Sequence, residues 1–92
     1  MTDPSKVTRS RLEIEQKDAT SYLEFETDDK GWMTLWHTEV AESQRGKGVG
    51  LELVKAAFEY ARESGLRVDV ICPYAQRVIA AHPEFRPLVG RK

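Results

Sequence analysis

The chain has 92 residues, of which 40% are hydrophobic and 32% are charged, and its formal net charge at pH 7 is -1. This length and composition are typical of one globular domain, 1–92, and the nearly balanced charge argues against a general affinity for nucleic acid or acidic membranes. No apolar run reaches the length of a membrane span, and residues 1–5 (MTDPS) lack the basic and apolar regions of a signal peptide.

The first part of the chain is predicted to contain two antiparallel strands after a loose, flexible arm at residues 1–6. Residues 9–16 alternate between apolar and charged side chains, which is the pattern of a strand with one buried face. Residues 17–19 (KDA) are predicted to form a turn. Leu23 and Phe25 then alternate with polar neighbours and indicate the second strand.

A third strand, residues 32–40, follows a turn at residues 28–31 whose sequence DDKG suits a reversal of the chain. Strict alternation divides its side chains between two faces, with Met33, Leu35 and His37 on one and Trp32, Trp36 and Val40 on the other. Because both faces carry apolar side chains, this strand is predicted to be central. The three strands together form an antiparallel meander.

The clearest element is a helix predicted over residues 48–64. Its apolar residues recur at the i, i+3, i+4 spacing of one buried helical face. This stripe consists of Gly50, Leu53, Val54, Ala57, Phe58 and Ala61. Gly65 suits a left-handed residue just after the helix C-terminus.

A fourth strand is predicted over residues 67–72, and Pro73 can begin a second, shorter helix that stops near His82 because Pro83 follows. A strand, a helix and a strand in this order imply a right-handed crossover with parallel pairing. The fold class is therefore α/β, with a mixed sheet built from the meander, then the helix, a further strand and a short C-terminal helix. Residues 85–92 show no defined pattern.

Cysteine and histidine are scarce, since the chain has one cysteine, Cys72, and two histidines, His37 and His82. A lone cysteine excludes an internal disulfide and fits the reducing cytoplasm, where we expect the protein to reside. Two histidines far apart in sequence and one cysteine do not suggest a structural zinc site, so we expect no bound metal.

The loop at residues 45–50, RGKGVG, has an R-x-x-G-x-G pattern between the third strand and the long helix. Glycines let the backbone approach a ligand, and the first amides of the helix lack acceptors within it and lie at the positive end of its dipole. These features form a receptor for phosphate or pyrophosphate, to which Arg45 and Lys47 add positive charge. A purely structural turn is the alternative, because any tight strand-to-helix turn favours glycine. The nucleotide motifs G-x-x-x-x-G-K-[ST] and G-x-G-x-x-G do not occur.

Six segments, in this order, resemble the core of the GNAT acyltransferases and in detail a minimal, YjdJ-type subfamily of N-acetyltransferases. They are His37-Thr38-Glu39-Val40, Arg45-Gly46-Lys47-Gly48-Val49-Gly50, Leu53-Val54-Lys55-Ala56-Ala57, Tyr60-Ala61-Arg62, Cys72-Pro73-Tyr74 and His82-Pro83-Glu84-Phe85. The segments span residues 37–85, and the preceding strands fit the same fold. The loop alone is not specific for this family, whereas the ordered set of segments is.

The resemblance implies a GNAT-type mixed sheet and acetyl-CoA as co-substrate. In such folds the pyrophosphate lies on the loop amides, here those of Arg45, Gly46, Lys47, Gly48, Val49 and Gly50. The pantetheine arm pairs with exposed backbone of the preceding strand, here near Glu39 and Val40. The thioester then lies between the third and fourth strands, which agrees with the interpretation of the helix N-terminus as an anion site.

Two departures from the larger GNAT enzymes bear on the acceptor and on catalysis. Those enzymes carry one or two helices after their first strand, whereas only a turn is predicted here, so the acceptor side is expected to be open. Many members also have an N-x-x-A-x-x-x-Y segment whose tyrosine is a general acid. With Cys72 at the asparagine position, Ala75 matches the alanine but Ile79 takes the place of the tyrosine. Cys72 or Tyr74 must then act instead, or catalysis is weak.

Four side chains are candidates for catalysis, and each has a structural alternative. Glu39 could accept the amine proton or be an ordinary surface residue, and His37, predicted on the same inward face, could be a base or a hydrogen-bonded structural residue. Cys72 lies at or just before the N-terminus of the second helix, a position that favours thiol reactivity. It could carry the acyl group or protonate the leaving CoA thiolate, or it could only fill space in the core. Tyr74 could be the acid or a lid over the second helix.

The leading functional hypothesis is an acetyl-CoA-dependent N-acetyltransferase with weak intrinsic activity. Its amine acceptor could be a small amine, a polyamine or a protein tail. The alternative hypothesis is a non-catalytic module that binds CoA or acyl-CoA and presents a protein-interaction surface. A nucleic-acid-binding domain is disfavoured by the acidic balance and the lack of a basic stripe, so we expect neither nucleic acid nor membrane as a partner.

Overall fold

The structure, a computed structural model, describes residues 7–91 and contains four strands and two α-helices. The strands are β1 (Val7–Gln16), β2 (Ala19–Asp28), β3 (Trp32–Glu39) and β4 (Arg67–Val70). The α-helices are α1 (Val49–Glu63) and α2 (Pro73–Ala81), and short 3₁₀ helices occupy Glu42–Gln44 and Pro83–Leu88. The arm predicted at residues 1–6 lies outside the described residues.

The strands form one sheet in the order β1-β2-β3-β4, so β3 is central. The first three strands pair antiparallel and form the meander that the sequence predicts. β4 pairs in parallel with β3, from Trp32 opposite Arg67 to Leu35 opposite Val70, and α1 makes the crossover between them. The mixed α/β fold class is therefore confirmed.

The connection between β1 and β2 is shorter than predicted. Only Lys17 and Asp18 form the turn, because Gln16 pairs with Ala19 across the hairpin. A two-residue turn leaves no room for a helix between these strands, in agreement with the expected departure from the larger enzymes. β4 is also shorter than predicted and ends at Val70.

The helix α1 begins and ends within one residue of the predicted bounds, because its apolar residues share one face. The buried face consists of Val49, Gly50, Leu53, Val54, Ala57, Phe58 and Ala61. Gly48 caps the N-terminus with a left-handed φ of 79°, and Gly65 follows the C-terminus with a φ of 72°. No helix within residues 7–91 is long and apolar enough to cross a lipid bilayer.

The hydrophobic core lies between α1 and the face of the sheet that we call the inner face. Its inner-face side chains are at most 5% exposed and include Leu23, Phe25, Met33, Leu35 and Val68. Ala75 and Ile79 of α2 complete this core. The buried apolar area supplies most of the favourable free energy of folding, so both helices are held against the sheet mainly by these contacts.

The opposite face of the sheet, which we call the outer face, is charged and open to solvent over β1 and β2. The antiparallel register sets Arg9 opposite Glu26 and Arg11 opposite Glu24, and each pair forms a salt bridge, of 2.8 Å and 3.1 Å. The Arg11 guanidinium also lies 3.9 Å from the centroid of the Tyr22 ring. The hydrogen bond to Glu24 raises the pKa of Arg11 above its ordinary value, so this side chain stays charged.

A β-bulge interrupts the alternation of β3. Glu24 of β2 pairs with His37, whereas the next residue, Phe25, pairs with Leu35, so Trp36 is an extra residue in β3. Because side chains alternate with a period of two, one extra residue exchanges the faces of everything that follows it. Trp36 itself is 42% exposed and lies against the outer face.

The bulge reverses the faces that the sequence predicts for His37, Glu39 and Val40. His37 does not share the inner face with Leu35, since it is exposed and lies beside Glu24 on the outer face. Glu39 follows His37 to the same side, where their side chains contact each other. Val40, predicted to face away from Leu35, instead packs against the core.

The C-terminal segment is better defined than predicted. Phe85 is 9% exposed, and the centroid of its ring lies 4.9 Å from that of Phe58 in α1. Val89 forms a parallel bridge with Val68, and the amide of Gly90 donates to the Val68 carbonyl at 2.8 Å. The segment therefore covers one end of the core and part of the outer edge of β4.

Replacing Phe85 by alanine should lower the free energy of unfolding by about 3 kcal/mol, because the substitution removes a buried ring and leaves a cavity against α1. Urea denaturation followed by circular dichroism measures this change. The neighbouring exposed substitution Glu84→Ala is the control and should change stability by less than about 0.5 kcal/mol. Equal and small effects of the two substitutions would contradict the packing of Phe85 in the core.

Candidate functional site

A cleft opens where β3 and β4 separate. The carbonyl of Leu35 accepts hydrogen bonds from the amides of both Ile71 and Cys72, at 3.0 Å each, and the parallel pairing ends there. Beyond this point the end of β3, the loop that follows it and the first turns of α1 and α2 enclose a cleft of about 460 Å³. We call it the central cleft.

The central cleft brings together most of the site residues singled out from the sequence. Those in its lining are Glu39, Val40, Arg45, Gly46, Gly48, Val49, Gly50 and Tyr74. Its lining also includes three residues that sequence reasoning did not single out, namely Thr38, Gln44 and Leu51. Cys72, His37 and Lys47 lie outside this lining.

The glycines of the loop shape its backbone. Gly46 and Gly48 have φ values of 78° and 79°, a left-handed region that other residues rarely adopt. A Cβ atom at either position would have no protein atom within 4 Å, so the space beside this backbone is open. The first amides of α1 have no acceptor within the helix. The loop therefore combines amides that lack an acceptor within the helix with the open space that an anion requires.

The two cationic side chains of the loop, Arg45 and Lys47, line different clefts. Arg45 donates from Nε to the carbonyl of Val40 at 3.2 Å, which ties the loop to the end of β3. Lys47 instead lines a second cleft beside the β1–β2 turn. Of these two side chains, only Arg45 is therefore positioned to contact an anion in the central cleft.

The loop is anchored to the sheet by two buried polar side chains, Ser21 of β2 and Gln44. They are 0% and 2% exposed, and the Ser21 hydroxyl donates to Gln44 Oε1. Ser21 Oγ also accepts from the amide of Ala41 at 2.8 Å, and Gln44 Nε2 donates to the carbonyl of Ala19 at 3.2 Å. The one sequence signal for this anchor is a serine at an inward position of β2, where the next two inward residues, Leu23 and Phe25, are apolar.

Tyr74 closes the central cleft from the side of α2. Its ring lies directly against Gly50, where an added Cβ atom would overlap the phenol oxygen. Gly50 is therefore needed to admit this tyrosine, whereas Gly46 and Gly48 are needed for their left-handed backbone. Within residues 7–91 the Tyr74 hydroxyl has no hydrogen-bond partner, so it remains available to a molecule in the cleft.

Cys72 is the N-cap residue of α2, at the position that the sequence predicts. Its side chain is 2% exposed, and Sγ donates to Thr38 Oγ1 at 3.4 Å. Thr38 lines the central cleft and Cys72 does not, so the threonine lies between the thiol and the cleft. The reactive role predicted for Cys72 stays a prediction, and this burial favours its alternative as a packing residue.

His37 and Glu39 form a pair on the outer face of β3. His37 Nε2 lies 3.3 Å from Glu39 Oε1, and the two side chains are 52% and 49% exposed. The His37 ring also lies 6.0 Å from that of Tyr22, between centroids. Because Glu39 lines the central cleft as well, this pair sits where the cleft meets the outer face.

Comparison with known proteins identifies a family and several relatives. The model of the GCN5-related N-acetyl-transferase family matches residues 9–88. Protein NATD1 of Bos taurus is 38% identical over 61 residues, which are 66% of this chain and 54% of that protein. Protein NATD1 of Homo sapiens is 34% identical over 61 residues, again 66% of this chain and 54% of that protein. The chain spans about half the length of these curated relatives.

Two solved structures resemble this fold. The solution structure of a GCN5-like protein from Staphylococcus aureus, proposed to be an N-acetyltransferase, superimposes with a TM-score of 0.72. It is 21% identical, and the match covers 99% of this chain and 93% of that one, so it supports the fold. The crystal structure of a proposed acetyltransferase from Agrobacterium tumefaciens has a TM-score of 0.56 at 25% identity and covers 87% of this chain and 61% of that one.

Gln44→Ala should lower the free energy of unfolding by about 1–3 kcal/mol, because it leaves the buried Ser21 hydroxyl without its acceptor. The double variant Ser21→Ala/Gln44→Ala should lose less than the sum of the two single variants, since the residues share one hydrogen bond. Ser43→Ala, exposed on the same loop, is the control, and urea unfolding measures all four. Strictly additive losses would show that the two side chains do not act as one anchor.

Proposed function

Because the chain belongs to the GCN5-related N-acetyltransferase family, we propose that it transfers an acetyl group from acetyl-CoA to an amine, with weak intrinsic activity. The observation that carries this proposal is the central cleft, where a glycine-rich helix N-terminus meets the point at which β3 and β4 separate. The same observation fits both halves of the substrate, an anionic nucleotide end and a neutral thioester end.

The loop and the end of β3 are the parts of the chain that would hold acetyl-CoA. The amides at the start of α1 and the Arg45 guanidinium would bind the pyrophosphate. The backbone of residues 38–40, which lines the cleft and is not paired with β4, would hold the pantetheine arm. The glycines at 46 and 48 support this assignment, since open space lies beside both.

The reaction forms a C–N bond from the acceptor amine to the acetyl carbonyl carbon and breaks the C–S bond to CoA. In this proposal the Glu39 carboxylate accepts the proton that the amine loses, directly or through water, and His37 holds that carboxylate in place. The backbone amide of Val40 polarises the carbonyl oxygen. The Tyr74 hydroxyl, which lines the cleft and has no hydrogen-bond partner within residues 7–91, donates the proton to the leaving thiolate.

Two observations are consistent with low activity and a broad choice of amine. Glu39 is about half exposed, so water screens it and weakens its effect as a base. The β1–β2 turn has only two residues, so no helix covers this side of the sheet between those strands. A small amine, a polyamine or a protein tail could therefore reach the cleft.

One observation favours a non-catalytic alternative. Ile79, which takes the place of the tyrosine acid of many GNAT enzymes, is 8% exposed and packed in the core. If Tyr74 does not supply the proton, the chain would bind CoA or acyl-CoA and present a surface to a protein partner. Turnover of acetyl-CoA with a panel of amines and peptides, detected by mass, separates the two functions.

CoA and acetyl-CoA should raise the melting temperature, because a ligand that binds only the native state stabilises it by mass action. Gly48→Ala should weaken this shift, since the loop would leave its left-handed conformation. Gly31→Ala is a matched control, because Gly31 has a φ of 93° and equally open surroundings but lies in the β2–β3 turn. If millimolar CoA does not shift the melting temperature, both binding functions are refuted. If CoA shifts the melting temperatures of the two variants equally, the loop is only a structural turn.

Tyr74→Phe should lower the rate of acetyl transfer at least about tenfold, which is about 1.4 kcal/mol of barrier, while CoA binding is unchanged. The change removes the hydroxyl and keeps the ring against Gly50. Cys72→Ala, in the same assay, tests the reactive role predicted from the sequence. A parental rate for the folded Cys72→Ala would exclude that role, and a parental rate for Tyr74→Phe would exclude the tyrosine as proton donor.

A further inference from the structure

A second cleft lies beside the β1–β2 turn, and we call it the hairpin cleft. Its volume is about 800 Å³, and its lining includes Lys17 and Asp18 of the turn and Ser43, Gln44 and Lys47 of the loop. Among the described residues that line it, Asp18 is the one carboxylate, against two lysines. The lining therefore carries a net positive charge.

The backbone of Lys17 is unusual. Lys17 has a φ of 53°, and no other non-glycine residue between 7 and 91 has a positive φ. Glycine or asparagine adopts this conformation more readily than lysine does. The backbone conformation of the turn therefore does not explain why residue 17 is a lysine. A role for the lysine side chain would explain it.

Neither lysine of the hairpin cleft is neutralised within the described part of the chain. Lys17 and Lys47 take part in none of the ion pairs among residues 7–91. Arg9 and Arg11 of the adjoining strand, in contrast, are each paired with a glutamate. Two ammonium groups are thus available to an anion from outside the chain.

The hairpin cleft adjoins the central cleft. Gln44 lines both, and Lys47 lies in the loop between Gly46 and Gly48, which line the central cleft. A molecule whose pyrophosphate lies on the loop can therefore extend to either side. In CoA the pantetheine arm leaves the pyrophosphate on one side, and the adenosine with its 3′-phosphate leaves on the other. A phosphate monoester carries a charge of about −1.5 to −2 near pH 7.

We propose that Lys17 and Lys47 bind the 3′-phosphate of CoA in the hairpin cleft, so that the protein distinguishes CoA from dephospho-CoA. This assignment rests on the proposed function, which places the pyrophosphate on the loop and the pantetheine arm along residues 38–40. The nucleotide end then extends from the pyrophosphate into the adjoining hairpin cleft. Because the lysines are solvated, added salt screens their attraction for the phosphate. The preference for CoA is therefore largest at low ionic strength.

Calorimetric titration of the full chain with CoA and with dephospho-CoA tests this proposal. At low salt the parent protein should bind CoA at least about tenfold more tightly than dephospho-CoA, as charge-assisted contacts to the extra phosphate predict. Lys47→Ala and Lys17→Gly should each lower this preference by about threefold or more. Glycine adopts the φ of residue 17 without strain, so Lys17→Gly removes the charge and keeps the turn.

Lys55→Ala is the charge-matched control, because Lys55 is exposed on α1 and lies outside the lining of both clefts. It should leave the preference for CoA unchanged. Equal binding of CoA and dephospho-CoA by the parent protein would overturn the 3′-phosphate site and leave the proposed function standing. Binding of neither compound would overturn both. An equal loss of preference in Lys55→Ala would show that total charge, rather than the hairpin cleft, is responsible.

Discussion

The site depends on a single carbonyl oxygen, that of Leu35, which accepts two successive amides from the end of β4. In a parallel pair of strands the hydrogen bonds are evenly spaced along both strands. When two successive amides of one strand share a single carbonyl of the other, this regular register is broken. The extra residue Trp36 disturbs β3 at the same level. β3 and β4 therefore diverge, and the backbone of residues 38–40 lines a cleft instead of continuing the pairing with β4. A local fault in strand pairing thus creates the space that a substrate needs.

The Ser21–Gln44 contact has the complementary role of holding the loop against that opening. A glycine-rich segment loses much conformational entropy when it becomes ordered. Because both buried side chains are hydrogen-bonded to each other and to the backbone, folding orders this loop before any ligand arrives. The ligand then bears less of the ordering cost, which favours affinity. The glycines give the loop its left-handed backbone conformation, whereas the Ser21–Gln44 hydrogen bonds fix the loop against the sheet.

Most of the fold could be predicted because its elements follow simple periods. Alternation predicts the meander, a 3.6-residue period predicts α1, and Pro73 marks the start of α2. The bulge could not be predicted, since apolar side chains on both faces of β3 hide a one-residue shift, and strict alternation therefore predicts the wrong face for His37. The packing of Phe85 and the Ser21–Gln44 anchor join segments distant in sequence, so neither leaves a local pattern. The glycines and the helix start of the loop predict an anion site, the resemblance adds acetyl-CoA and the candidate Tyr74, and the structure adds the clefts that separate Arg45 from Lys47.

The two edge strands of the sheet, β1 and β4, differ in how far other segments cover them. The bridge from Val89 to Val68 covers part of the β4 side, whereas β1 is a ten-residue strand at the other side. Among residues 7–91 no strand pairs with the outer edge of β1, and an edge of that length is a template on which strands of other molecules can add. Charged side chains occupy every second position of β1 from Arg9 to Glu15, and they would lose water if the strand of a second copy added there. The charges that pair across β1 and β2 therefore also protect the protein from aggregation through its own sheet.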